Sequence, residues 1–295
     1  MQFDPNQLRA LAAILRLGSF EAAAAELAVT QSAISQRIRA LEERVGAALI
    51  ERVTPCTGTR AGLRIAKHAE DVGLLEAQLS RDLSLEQKAG PARLRIAVNA
   101  DSLATWFVDA MAQVEDVLFD LVIDDQDHSA DWLRRGAVSA AICSGTKAAP
   151  GCDAVPLGHL RYLATASPAF ANRWFDKGVS AATLSVAPCM TFNRKDNLQQ
   201  KWIEQVIGKR VTPPSHFLPS TQAFVDAACA GLGWGMNPES LAGQPIRDGK
   251  LVALLADQPL DVALSWQVSR VMAPALAPLT RAVKQAAQDG LIRAG

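Results

Sequence analysis

Between Thr30 and Gly46, side chains able to read a nucleic-acid base alternate with side chains fit only for burial. Ile34, Ile38, Leu41 and Val45 recur at steps of four, three and four, which places them on one narrow stripe of a 3.6-residue helix. Ser32, Gln36 and Arg39 share the opposite face, with Ser35 beside them. A glutamine amide pairs in bidentate fashion with adenine and a guanidinium with guanine, while a serine hydroxyl serves either, so this face suits a major groove. Thr30 is the expected N-cap and Gly46 the expected stop. Thr30, Gln31, Ser32, Ser35, Gln36, Arg37 and Arg39 are the candidate DNA contacts of a recognition helix.

The rest of the chain must position that helix. With 295 residues, 49% of them hydrophobic, two or three compact units are expected. Apolar runs are interrupted by charge well short of a membrane span. The opening Met-Gln-Phe-Asp-Pro lacks the features of a secretory leader, so a cytoplasmic protein with no membrane partner is expected. Five scattered cysteines, never in Cys-x-x-Cys spacing, give neither a disulfide framework nor a zinc site. The 30 basic and 30 acidic residues balance. Between Thr30 and Lys67, however, seven basic residues (Arg37, Arg39, Arg44, Arg52, Arg60, Arg64, Lys67) face three acidic ones (Glu42, Glu43, Glu51), the electrostatic footprint of a phosphate-binding module.

Taken in order, Asp4-Pro5 opens a helix whose buried face is Leu8, Leu11 and Leu15, and Gly18 ends it. Ser19 caps a second, Ala-rich helix to about Ala28, so the recognition helix completes a helix-turn-helix. Leu49 to Val53 as a strand and Pro55 to Gly58 as a turn form a wing, with Arg52 and Arg60 available to the DNA backbone or simply solvated. From Thr59 or Arg60 a long helix carries Val72, Leu75, Leu79 and Leu83 at three- and four-residue steps until Gly90-Pro91. Such a stripe is expected to bury itself against a partner helix, giving a dimer.

Beyond Pro91, short strands alternate with helices, an α/β signature. Strands are expected at Leu94–Val98, Phe119–Asp124, Val138–Ser144, Tyr162–Ala166 and Val262–Val271. Helices are expected at Leu103–Val114, Ala130–Arg135, Pro168–Phe175, Asn197–Ile207, Thr221–Ala230 and Pro274–Asp289. Two lobes follow, the chain crossing near Arg161 and returning near Ser265–Trp266.

The run Leu27-Ala28-Val29-Thr30-Gln31-Ser32-Ala33-Ile34-Ser35 through Leu41-Glu42 resembles the winged helix-turn-helix of LysR-type transcriptional regulators. The remainder is similar to one subgroup, regulators of basic amino-acid export of the LysG/ArgP type. That likeness rests on Ala97-Val98-Asn99-Ala100-Asp101-Ser102-Leu103-Ala104-Thr105-Trp106-Phe107, Asp124-Asp125-Gln126-Asp127-His128, Phe192-Asn193-Arg194-Lys195-Asp196 and Gly231-Leu232-Gly233-Trp234-Gly235-Met236. At the wing, Thr59-Arg60-Ala61-Gly62 departs from the family's usual Leu-Thr-x-Ala-Gly. The resemblance implies a winged helix-turn-helix over 1–60, a linker dimerisation helix over 61–90 and an effector-binding domain of periplasmic-binding-protein type over 91–295. Lobe I would comprise 91–161 and 266–295, and lobe II 162–265. It implies double-stranded promoter DNA as partner, a homodimer extending to a homotetramer, contact with RNA polymerase, and an effector in the cleft.

Asp101 and Ser102 follow one strand, and Asp124, Asp125 and Asp127 follow another, at the strand ends where open α/β sheets bind ligands. Clustered carboxylates call for a cation, so L-lysine or L-arginine is the expected effector. Its carboxylate would meet Ser220 and Thr221 at a helix N-terminus, with Asn193 assisting. The competing view is that these aspartates are ordinary caps and turn residues. Asp125, Asp127 and His128 as metal ligands lack a His or Cys partner, so no metal is expected, nor any cofactor. No Gly-x-Ser-x-Gly or His-Glu-x-x-His supports an enzyme. Gly231–Gly235 follows a helix and precedes a strand, the reverse of a dinucleotide loop. Cys143 and Cys229 lie in apolar, Ala-rich settings that favour inert burial over redox sensing. The alternatives are a LysR-type regulator of another effector, or an amino-acid-binding module or enzyme that does not bind DNA.

Overall fold

The computed structural model describes residues 2–84, 91–124 and 129–293. Helix α1 (Pro5–Leu17) starts where the Asp4 carboxylate accepts the N–H groups of Asn6 and Gln7 at 2.8 and 3.1 Å, and stops at Gly18. Helix α2 (Phe20–Glu26), capped by Ser19, ends short of the expected Ala28, which takes φ 51° in the turn. Helix α3 (Gln31–Val45) is capped by Thr30, whose hydroxyl accepts the Ala33 N–H at 3.2 Å, and closes at Gly46 in the left-handed region. Ile34, Ile38 and Leu41 are fully buried in a core with Leu11, Ile14 and Ala23, and Val45 packs at its margin. The wing is smaller than its sequence suggests: β1 (Ile50–Glu51) pairs antiparallel with β2 (Thr57–Gly58), and Val53 stays exposed.

Helix α4 (Arg60–Asp82) follows at once. Thr59 caps it, accepting from the Gly62 N–H at 3.1 Å and donating to the Ala48 carbonyl at 2.9 Å. Gly62 is forced by proximity, since a Cβ there would lie 1.9 Å from the Leu49 carbonyl oxygen. The helix ends at Asp82, short of Gly90-Pro91, because Leu83 and Ser84 leave helical geometry, Ser84 at φ 52°. Leu74 is buried in the core of the following domain, while Leu75, Leu79 and Leu83 are 37%, 57% and 59% exposed and Val72 is half-buried. A polar seam flanks Leu74. Arg64 Nη1 donates to the Gly136 carbonyl at 2.7 Å, and the buried Lys67 ammonium donates to Ser139 Oγ at 2.7 Å and pairs with Asp71. The Ser139 hydroxyl in turn donates to Asp71 at 2.9 Å, so the buried charge is paired.

The second domain begins with β3 (Ala92–Val98), α5 (Ala100–Ser102), a π-helical turn (Leu103–Phe107), α6 (Val108–Ala112), β4 (Val117–Ile123), α7 (Ser129–Arg134) and β5 (Ala140–Ser144). It continues through β6 (Cys152–Ala166), α8 (Pro168–Trp174), α9 (Ala181–Val186), β7 (Cys189–Thr191), α10 (Leu198–Ile207), β8 (Ser215–Phe217) and α11 (Thr221–Cys229). It closes with β9 (Gly235–Pro238), α12 (Glu239–Arg247), β10 (Val252–Ala253), β11 (Leu260–Ser269) and α13 (Ala277–Gly290). Strands β4, β3 and β5 are parallel neighbours, and β11 and β6 join antiparallel beyond β5.

The far end of β6 carries β9 and β10. Thus β6 and β11 are shared by two lobes, and the change of partner falls at Tyr162, which pairs with both Leu260 and Pro238. The expected return at Ser265–Trp266 lies inside β11, which already starts at Leu260. The expected strand Tyr162–Ala166 is only the end of the 15-residue β6. Pro156 and Gly158 hide its first part from a strand pattern, Gly158 taking φ 127° where the Ile292 carbonyl packs against it. Helices α9 and α12 and strands β7, β8 and β10 have no counterpart among the expected elements.

Candidate effector cleft and nucleic-acid interface

With its apolar stripe buried, α3 presents Gln31, Ser32, Gln36 and Arg39 exposed, and Ser35 and Arg37 partly so. The Thr30 hydroxyl lies 2.9 Å from Ser32 Oγ, which aligns both at the helix N-terminus. Arg52 stacks its guanidinium 5.4 Å over the Phe20 ring, holding the wing against α2. Three of the seven basic residues in this stretch have other duties. Arg64 and Lys67 form the seam to the second domain, and Arg44 donates to the Gln2 carbonyl at 2.6 Å. A count of charges cannot separate groups that point at solvent from groups that point inward.

Between the lobes lies a cleft whose walls include Asn99, Asp101 and Asp124 from the ends of β3 and β4, with Asp196, Gln199, Thr221 and Asn237 opposite. Phe192, Phe224 and Met236 supply an apolar floor. Asp101 bridges the two sides: its carboxylate accepts from Thr221 Oγ1 and from the Tyr162 hydroxyl, both at 2.7 Å. Burial pushes the Asp101 carboxyl above its usual range despite these bonds, and the charge of Asp196 adds to the shift. Asp124 is oriented by Trp132, whose indole N–H donates to Oδ2 at 2.8 Å. Asp196 is a turn lock, accepting the N–H groups of Phe192 and Leu198 at 2.9 Å each.

Three buried amides on these walls have unpartnered atoms among the described residues: both polar atoms of Asn99 and of Gln199, and Oδ1 of Asn237. Asn237 is held by its own amide, which donates to Thr165 Oγ1 at 2.9 Å, so its carbonyl is left as an acceptor. Each buried polar atom without a partner costs about 1–3 kcal/mol, and such groups are rare except where something else completes them.

The expected effector residues distribute unevenly. Asp101, Asp124 and Thr221 come together on the cleft. Thr221 is already bonded to Asp101, and Ser220 is exposed and caps α11 through the Ala223 N–H, so neither stands as a free carboxylate donor. Ser102 is buried behind the wall with its hydroxyl unpartnered. Asn193 accepts the Lys195 N–H at 2.7 Å and orders the loop beside the cleft. Asp125 and Asp127, with His128, lie outside the described residues. Sequence reading assigns no effector contact to Asn99, Asp196, Gln199 or Asn237, although Asn99 and Asp196 fall within the motifs that carry the family resemblance. Gln199 had a signal, since it shares the buried face of α10 with Leu198, Trp202 and Ile203.

All five cysteines are free thiols, and burial pushes Cys143 up to about 12 and raises Cys229, which disfavours the reactive thiolate. Among the described residues, no helix is long and apolar enough to cross a membrane.

The architecture is a winged helix-turn-helix joined by a long helix to a two-lobed α/β domain with a cleft, that of a ligand-responsive DNA-binding regulator. Residues 5–63 match the bacterial regulatory helix-turn-helix protein, lysR family, and residues 88–288 match the LysR substrate binding domain. The chain belongs to the LysR family of transcriptional regulators. It is 44% identical over 292 residues to the HTH-type transcriptional regulator LysG of Mycobacterium tuberculosis, covering 99% of this chain and 96% of that one. It is 35% identical over 295 residues to the lysine export transcriptional regulatory protein LysG of Corynebacterium glutamicum, covering 98% and 99%. The crystal structure of ArgP from M. tuberculosis superposes with a TM-score of 0.81 at 44% identity over all of both chains. Full-length LysG from C. glutamicum with bound effector Arg superposes with a TM-score of 0.66 at 35% identity over 98% and 100%.

Proposed function

We propose that this protein binds promoter DNA as a dimer and controls a basic amino-acid export gene in response to L-lysine or L-arginine held between its lobes. The observation that carries the effector assignment is the pair of carboxylates on a cleft whose amides have open donors and acceptors both, as an amino acid with a cationic side chain requires. Asp101 and Asp124 share it with the unpartnered carbonyl oxygens of Asn99, Gln199 and Asn237 and the unpartnered amide nitrogens of Asn99 and Gln199. Ammonium and guanidinium groups bring three and five N–H donors respectively and the charge that the aspartates match, while the ligand's own carboxylate suits the two amide nitrogens. The relative solved with arginine bound and the relative described as a regulator of lysine export support the same reading.

DNA would be read by Gln31, Ser32, Ser35, Gln36 and Arg39, with Thr30, Arg37 and Arg52 on the backbone. The exposed Leu75, Leu79 and Leu83, with Val72 beside them, are the face offered to a partner's α4. Pairing of dimers into a tetramer and contact with RNA polymerase belong to this reading. It is tested by calorimetry with lysine, arginine, leucine and glutamate, beside a salt-dependent gel shift of the promoter. Lysine or arginine should bind, leucine distinctly more weakly and glutamate not at all; equal affinity for leucine and lysine would defeat the basic-effector assignment.

A further inference from the structure

The loop between β7 and α10 carries a cation of its own to the cleft. Lys195 Nζ, from lobe II, lies 3.9 Å from Oδ1 of Asp124, at the end of β4 in lobe I, so the pair spans the gap between the lobes. The backbone under Lys195 is fixed. Its N–H donates to Asn193 Oδ1 at 2.7 Å, its carbonyl accepts from Asn197 Nδ2 at 3.0 Å, and Asp196 locks both sides of the turn. The side chain itself is 60% exposed, so it can swing on that rigid base. Asp124 in turn is oriented by Trp132.

A lysine side chain therefore reaches the acidic wall on which the effector's distal cation would rest. We propose that Lys195 is a built-in stand-in for the effector: its ammonium neutralises Asp124 in the empty cleft and is displaced when a free basic amino acid enters. This rests on the basic-effector reading. The exchange trades one ammonium–carboxylate pair for another, so the acidic wall is never left uncompensated and the lobes are not driven apart by like charge. It also sharpens selection. A cationic ligand replaces the pair that it breaks, whereas a neutral side chain of similar length displaces Lys195 without restoring a charge partner to Asp124.

The test is calorimetry of lysine, arginine and leucine on the full chain and on Lys195→Met and Lys195→Arg. A pair 3.9 Å apart with an exposed cation contributes at most about 1 kcal/mol, so removing the competitor should tighten lysine and arginine binding by about two- to five-fold. Lys195→Arg keeps the charge and should bind like the parent. Unchanged or weaker lysine binding by Lys195→Met, with the parent binding normally, overturns the stand-in alone; weaker binding would instead make Lys195 an anchor for the ligand carboxylate. No heat with lysine or arginine from the parent removes the basic-effector reading and the stand-in with it.

Discussion

The recognition helix and the cleft treat their polar side chains in opposite ways. On α3, most of the groups proposed to read DNA stand in water, where each is satisfied before any partner arrives, while Ile34, Ile38 and Leu41 beneath them are fully buried. In the cleft, Asn99, Gln199 and Asn237 are buried with atoms unpartnered, and Asp101 carries a carboxyl that its surroundings disfavour as an anion. The proposed DNA-reading surface is thus finished without its ligand, and the cleft is not. Residues that serve function on α3 should be neutral for folding, whereas those in the cleft should oppose it.

The largest expected effect tests the first half of that contrast. Ile38→Ala removes a side chain with no exposed surface, and should lower the stability of the DNA-binding domain by about 2–5 kcal/mol in denaturant titration. Arg39→Ala, one position further along the same helix, should leave the melting temperature in place. It should weaken operator binding by about 1–3 kcal/mol if its guanidinium is bidentate to a base. If Arg39→Ala bound operator as the parent does across salt concentrations, the helix would be facing the groove differently.

The second half is tested by Gln199→Leu, which replaces two unpartnered polar atoms with an apolar group of similar size on the buried face of α10. The empty protein should become more stable by about 1–3 kcal/mol while lysine binding weakens. A variant less stable than the parent would show that the amide is satisfied within the empty protein, and the cleft would then be no more strained than α3.

The same contrast explains what the sequence could disclose. The helix-turn-helix is built from local instructions. Asp4, Ser19, Thr30 and Thr59 each cap a helix within two or three residues of themselves, and Ile34, Ile38 and Leu41 form a stripe visible as periodicity. The cleft gathers residues 99, 124, 199 and 237 from separate elements, and no local rule relates them. Asp101 and Asp124 were legible because strand ends are a general ligand position. Asn237 sits in a four-residue strand too short for a pattern, and Thr221, expected as a carboxylate donor, was diverted by a tertiary bond to Asp101. Arg64 and Lys67 illustrate the reverse failure, two basic side chains near DNA-facing elements that turn inward to join the domains.

That seam supplies the smallest and most discriminating prediction, since it lies between the two regions. Glu70, on the α4 face that meets β3, is largely buried with Oε2 unpartnered among the described residues. Burial pushes its carboxyl above the usual 4.5, and the neighbouring Lys67 and Arg95 pull it back only in part. A carboxyl whose folded-state value is raised holds its proton more firmly folded than unfolded. Its contribution is therefore favourable below about 4.5, and is lost as pH climbs from there through the raised value. Glu70→Gln removes the ionisation while keeping the shape. Measured as melting temperature against pH, the variant's advantage over the parent should grow across that interval and then level off towards neutral pH. An advantage that shrank instead would mean that Lys67 and Arg95 stabilise the Glu70 anion, and the seam would then resemble the solvated pairs of the surface more than the desolvated walls of the cleft.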